Sequence, residues 1–290
     1  MNALLVVVAI LGVSASGPLM AGASAPALAI AFWRNALGTV AIAPVVAPRA
    51  RRELATLGRD GWRLTVFAAV MLALHFGTWV TALKMTSVAA ATAMVSMQVV
   101  FVVLIDRFRG DVPPRSVVGG VVLAIIGVLV ITGVDFSLSA RALTGDVLAL
   151  VGGLTAALYL VAGSRVRETV STSSYTVACY GICAVTLGLA CVVAQVELVG
   201  FSQKTWLAII GVTICAQLLG HSVLNHLLAV MSPGVLSMLL LLEVPGAAIL
   251  AGIFLGQTPP IGVYCGLGLI LAGLVVVIAR RPPPEPVLAD

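Results

Sequence analysis

Apolar stretches of about twenty residues follow one another along nearly the whole chain, and a hydrocarbon layer about 30 Å thick takes roughly that length of helix to cross. Runs such as VVLAIIGVLVITG (121–133) do not alternate polar and apolar side chains. They therefore read as helices rather than as strands of a barrel, the other structure that satisfies its own backbone in lipid. Spans are predicted at 4–22, 27–47, 64–83, 87–105, 116–134, 147–164, 174–196, 205–227, 233–256 and 261–279. With 61% hydrophobic and 9% charged residues, the 290-residue chain leaves no room for a soluble domain. The fold class is an all-α integral membrane protein with ten transmembrane helices.

The net charge of +5 does not point to nucleic acid, because of where the charges fall. With the N-terminus inside, the cytoplasmic loops hold Arg49, Arg51, Arg52, Arg59, Arg63, Arg107, Arg109, Arg115, Arg165, Arg167, Arg280 and Arg281. The opposite side holds Lys84, Arg141 and Lys204. This is the positive-inside pattern of a multi-pass protein of the inner or plasma membrane, with both termini cytoplasmic. Ala23-Ser24-Ala25 looks like a cleavage site, but no Lys or Arg precedes the first apolar run and Pro26 follows, so that span is read as retained. The five cysteines fall within spans and lack zinc-ligand spacing, which makes them small hydrophobes. No cofactor or metal is implied.

The chain repeats itself at a constant offset of 146: His75 and His221, Met85 and Met231, Pro113 and Pro259, Pro114 and Pro260, Gly120 and Gly266, Gly127 and Gly273. The expected organisation is one five-helix repeat at 1–140, a second at 141–281, and a disordered cytoplasmic tail at 282–290. Five is odd, so the second repeat enters the membrane from the opposite side. Inverted repeats of this kind recur in secondary transporters, with a site near the midplane between the halves.

Three segments carry a family resemblance: AFWRNALG around Arg34, ALKMTSVAAATAMVSMQVVFVVL at 82–104, and LLLLEVPGAAILAGIFLGQTPP at 239–260. With the order of spans, they resemble the EamA-type branch of the drug/metabolite transporter superfamily, over all of the chain up to Arg281. The resemblance implies ten helices in two inverted halves and transport, often outward, of amino acids, metabolites or amphipathic drugs. Where the family commonly has Gly-Glu, this chain has Gly110-Asp111 and Gly256-Gln257. Where the family has Glu-Pro or Gln-Pro, it reads Gln98-Val99 and Glu243-Val244-Pro245.

The polar residues inside the spans are the candidate pathway, since such groups in the bilayer core face protein or a water-filled cavity. At four-residue spacing Thr213, Gln217, His221 and Asn225 form one stripe along the eighth span, with His226 off that face and near the cytoplasmic interface. His75, the repeat mate of His221, shares a face with Met71, Thr78 and Trp79. Glu243 is the carboxylate deepest in a span and could carry a proton in exchange for cargo; its repeat mate is Met97, beside Gln98. Arg34 must pair, cap carbonyls or reach water, because guanidinium keeps its charge. For each of these the alternative role is interhelical hydrogen bonding.

The site set is therefore His75, Trp79, Gln98, Gln217, His221, Asn225 and Arg34 along the substrate pathway, with Glu243 for proton coupling. The small residues Ser116, Gly120, Gly262 and Gly266 allow close packing of the fifth and tenth spans, within one chain or in a homodimer. The leading expectation is a secondary transporter of small amino-acid-like or amphipathic metabolites, an exporter working by alternating access. The alternatives are a translocase of lipid or lipid-linked sugar and, against the absence of HExxH or an elbow serine, an intramembrane enzyme.

Overall fold

The computed structural model describes residues 2–110, 114–135, 139–257 and 261–279. The expected tail at 282–290, Asp111 and the Pro113, Pro259 and Pro260 repeat matches lie outside the described residues. The described chain is helical, without a strand, and its ten helices are α1 (Ala3–Gly22), α2 (Ala27–Ala55), α3 (Arg59–Ala82), α4 (Val88–Phe108), α5 (Arg115–Asp135), α6 (Ala140–Val166), α7 (Thr172–Val193), α8 (Gln203–Leu227), α9 (Pro233–Leu255) and α10 (Ile261–Ala279).

Local chemistry sets the ends. Five helices open on a serine whose hydroxyl accepts from the third residue on: Ser87 from Ala90, Ser139 from Ala142, Ser171 from Ser174, Ser202 from Thr205 and Ser232 from Val235. Helices α4 and α9 are followed by Gly110 and Gly256 at φ +94° and +65°, left-handed conformations that disfavour a side chain. These two glycines stand 146 residues apart, at the repeat offset. Helix α2 outruns its predicted end at residue 47 because Arg49 and Glu53, one turn apart, pair at 2.5 Å and extend it past the apolar run. Glu53 also accepts from the backbone N–H of Ser171 at 2.8 Å, fastening α2 to the start of α7.

Packing follows the repeat. Helices α5 and α10 lie against each other along their length, as do α2 and α7, while α3 packs on α6 and α1 on α8. Under an exchange of halves the first two pairings map onto themselves and the last two onto each other. The α5–α10 contact shows this at the atomic level. A methyl on Gly127 would come within 2.5 Å of the Gly266 carbonyl, and one on Gly273 within 2.5 Å of the Gly120 carbonyl. The small faces of these two helices are thus used within the chain. Apolar side chains such as Leu4, Phe108 and Ile253 point outward, where lipid rather than water would meet them.

The two ends of the bundle are closed by cations on backbone oxygens. Beyond α3, Lys84 donates to the carbonyls of Ala21 at 3.2 Å and Ala23 at 2.5 Å, binding α3 to the end of α1. This burial lowers the pKa of its ammonium. Past α6, Arg167 donates to the carbonyls of Asn225 at 3.2 Å and Val170, and at 2.6 Å to the Thr172 hydroxyl.

The reciprocal glycine contact predicts equal sensitivity in the two halves. Gly127→Val and Gly273→Val should each lower stability by about 1–3 kcal/mol through overpacking, read as a fall in thermal unfolding temperature in detergent. Gly119→Val and Gly268→Val, where none of the described residues would lie within 4 Å of the added carbon, should change it by about 0.5 kcal/mol or less.

Candidate functional site

A cavity lies where α1, α3, α4, α6, α8 and α9 meet, so both repeats contribute to its wall. It offers about 30 Å³ to the centres of water-sized molecules, room for about two waters. Two helix irregularities face it. In α4 the regular helix ends at Val95 and resumes at Gln98, and in α9 a tighter turn at Leu240–Leu242 precedes Glu243. Positions 96 and 242 are repeat mates, so the breaks are equivalent.

The causes of the two breaks differ. Pro245 has no N–H for the Leu241 carbonyl, which loosens α9 one turn before the proline. In α4 the Ser96 hydroxyl donates back to the Thr92 carbonyl at 2.8 Å, a bond that bends helices. The breaks set Gln98 and Glu243 at the starts of the second half-helices, both on the cavity wall.

The rest of the wall is built from rings. The Nδ1 of His75 lies 3.0 Å from the Gly152 carbonyl. A carbonyl can only accept, so Nδ1 carries the hydrogen and Nε2 keeps its lone pair for another partner. His75 stacks on Trp79 with centroids 5.6 Å apart and planes 19° from parallel, and its ring is 6.2 Å from His221. Trp79 Nε1, buried on this wall, has no partner among the described residues. Tyr159 completes the ring-lined side, with Ser16 of α1 near Glu243.

Arg34, Gln217 and Asn225 do not line this cavity. Arg34 is fully buried; its Nε donates to Gln217 Oε1 at 2.8 Å and its Nη1 lies 3.5 Å from Met20 Sδ. Its guanidinium carbon sits 4.0 Å above the centre of the Phe76 ring, a cation–π contact, and its Nη2 has no hydrogen-bond partner among the described residues. Gln217 passes the chain of bonds to Asn35 Oδ1 at 2.9 Å, and Asn35 donates to the Ala31 carbonyl at 2.9 Å. Asn225 accepts from the Tyr159 hydroxyl and donates to Thr176 Oγ1 at 3.2 Å, one bond behind the wall. His226 is exposed, 3.4 Å from Thr172 Oγ1.

The stripe expected along α8 is divided because Thr213–His221 is π-helical, its N–H groups reaching five residues back instead of four. Gln217 thereby meets α2 while His221 meets the cavity. Sequence reasoning placed His75, Trp79, Gln98, His221 and Glu243 together, as they are on the wall. It missed Tyr159, Ser16 and Ser96. Tyr159 carried a signal, a phenol in the middle of an apolar span; the two serines resemble many small span residues. Among the described residues no group of metal-ligating side chains gathers.

Comparison with known proteins accords with this architecture. The model of the EamA-like transporter family matches the chain twice, over residues 1–133 and 143–279. An uncharacterized transporter of Archaeoglobus fulgidus is 33% identical over 118 residues, and that match spans 40% of this chain and 40% of the relative's length. A solved crystal structure superposes with a TM-score of 0.74, covering 97% of this chain and 99% of its own at 18% identity, a likeness of fold. With the family model matched over each half of a ten-helix chain, the chain belongs to the EamA-like transporter family.

Proposed function

We propose that this transporter moves small organic molecules outward across the plasma membrane by alternating access, with protons exchanged at Glu243. The observation that carries the reading is the pair of equivalent helix breaks, which bring Gln98 and Glu243 from opposite repeats to one cavity. Sites of secondary transporters form at such discontinuities between inverted repeats. A rocking of one half against the other would expose the cavity to each side in turn.

The wall favours weakly charged cargo. Its ionisable groups are one carboxyl, two imidazoles and the Tyr159 phenol, while the guanidinium of Arg34 is held behind Phe76 and Gln217. Trp79 Nε1–H offers a donor, His75 Nε2 an acceptor, and the stacked rings an apolar face. Such a surface suits an amphipathic or zwitterionic metabolite. The outward direction rests on the family resemblance, and the cytoplasmic placement of the termini on the arginine-rich loops.

Two sets of variants test this reading. Comparison of the medium of cells overexpressing the wild type, Glu243→Gln or empty vector should reveal a metabolite that accumulates with the wild type alone, membrane levels being equal. In proteoliposomes a pH gradient should drive that compound with the wild type and leave Glu243→Gln at the level of empty liposomes. Equal flux in both would remove Glu243 from coupling; accumulation of a chemically altered product would favour an enzyme, and movement of lipid analogues a translocase.

Gln217→Leu should behave differently, because it strands Arg34 without its best partner. We expect a stability loss of about 1–3 kcal/mol by thermal unfolding, whereas His75→Gln, which keeps an N–H for the Gly152 carbonyl, should abolish flux with a smaller fall in unfolding temperature. A reversed pattern would exchange the two roles.

A further inference from the structure

The repeat mates Thr213–His221 in α8 and 67–75 in α3 have different backbones, π-helical in the first and ordinary α-helical in the second. Wide turns of this kind are rare and concentrate at functional sites. What holds this one open is visible at the Gln217 carbonyl. In an α-helix it would accept the N–H of His221. Here it accepts the N–H of Ser222, the Ser222 hydroxyl at 3.0 Å and the Tyr180 hydroxyl at 3.1 Å, the two hydroxyls lying 3.2 Å apart.

The first repeat supplies a control. At the offset of 146, the mates of Tyr180 and Ser222 are Arg34 and Phe76, which have no hydroxyl, and the α3 turn stays narrow. Space for the wide turn comes from α1. The position where a Gly12 methyl would stand is 2.4 Å from the Cys215 carbonyl, so a side chain there would strike the splayed backbone.

The width of the turn decides where His221 points. In an α-helix a step of four residues overshoots a full turn by about 40°; with bonds that reach five residues back, the same step falls short of one. Gln217 can therefore bond Arg34 and Asn35 on α2 while the His221 imidazole enters the cavity opposite His75. We propose that Tyr180 and Ser222 are positioning residues that hold α8 in this wide turn and so aim His221 at the cargo. Removal of their hydroxyls narrows the turn and withdraws the imidazole. The inference rests on the reading of the cavity as the cargo site.

The test uses the full chain with Tyr180→Phe, Ser222→Ala, the pair combined, and Ser222→Thr as the variant that restores a hydroxyl. Each single deletion should slow transport about fivefold, the loss of roughly one net hydrogen bond, and Ser222→Thr should recover the rate. On a His221→Ala background the deletions should add no further loss, which a merely structural role would not produce. A structure of the double variant should show the Gln217 carbonyl bonded to the His221 N–H. A wide turn that persists, or losses that add on the His221→Ala background, overturns the proposal. If the wild type moves no cargo at all, the functional reading fails, and the structural arm still decides whether the two hydroxyls hold the turn.

Discussion

In hydrocarbon, a backbone carbonyl or N–H without a partner costs several kcal/mol, and no water is there to supply one. The whole molecule is organised by that constraint. Ten helices satisfy most backbone groups within themselves, and at two of the departures from regular helix a side chain covers the backbone. Ser96 covers the Thr92 carbonyl at the α4 break, and Ser222 with Tyr180 covers Gln217 in the wide turn of α8. Lys84 does the same for Ala23 just past α1, and Arg167 for Asn225 in the last turn of α8. The irregular backbone of α4, α8 and α9 gathers at the cavity, supported by hydroxyls in α4 and α8.

Most of the architecture was legible in the residues. Span length followed from the bilayer, inversion from an odd number of spans per repeat, and close α5–α10 packing from glycines at the repeat offset. The site was legible where a polar residue had a repeat mate or neighbour of similar character, as with His75 and His221 or Gln98 beside the mate of Glu243. It was not legible for Arg34, Gln217 and Asn225. Their placement depends on a turn wider than the 3.6-residue period that any reading of helix faces assumes, and on a tyrosine from a distant span. Pro245 was a readable cause of one helix break; the other rests on a serine like many others.

The two halves share a frame and differ in what fills it. Tyr180 replaces Arg34, Ser222 replaces Phe76, and Gln217 replaces Met71 at equivalent places. Arg34 bonds the side chain of Gln217, and Tyr180 bonds its carbonyl, so one residue of α8 joins equivalent positions of α2 and α7. The two halves share the places of the breaks and the pattern of packing, while a few side chains that differ make a buried charge network around Arg34 and a shaped turn beside Tyr180.

The end caps carry this divergence into thermodynamics. An inverted pair with identical halves would have two arrangements of equal energy related by a two-fold rotation, each populated half the time. Here the α1–α3 end is held by a single ammonium on two carbonyls, and the α6–α8 end by a guanidinium spread over three acceptors. Under the proposed rocking of the halves, parting the two ends would require unequal work, and every 1.4 kcal/mol of inequality would shift the populations about tenfold. Such a protein would rest with a preferred facing, set by which cation each end was given.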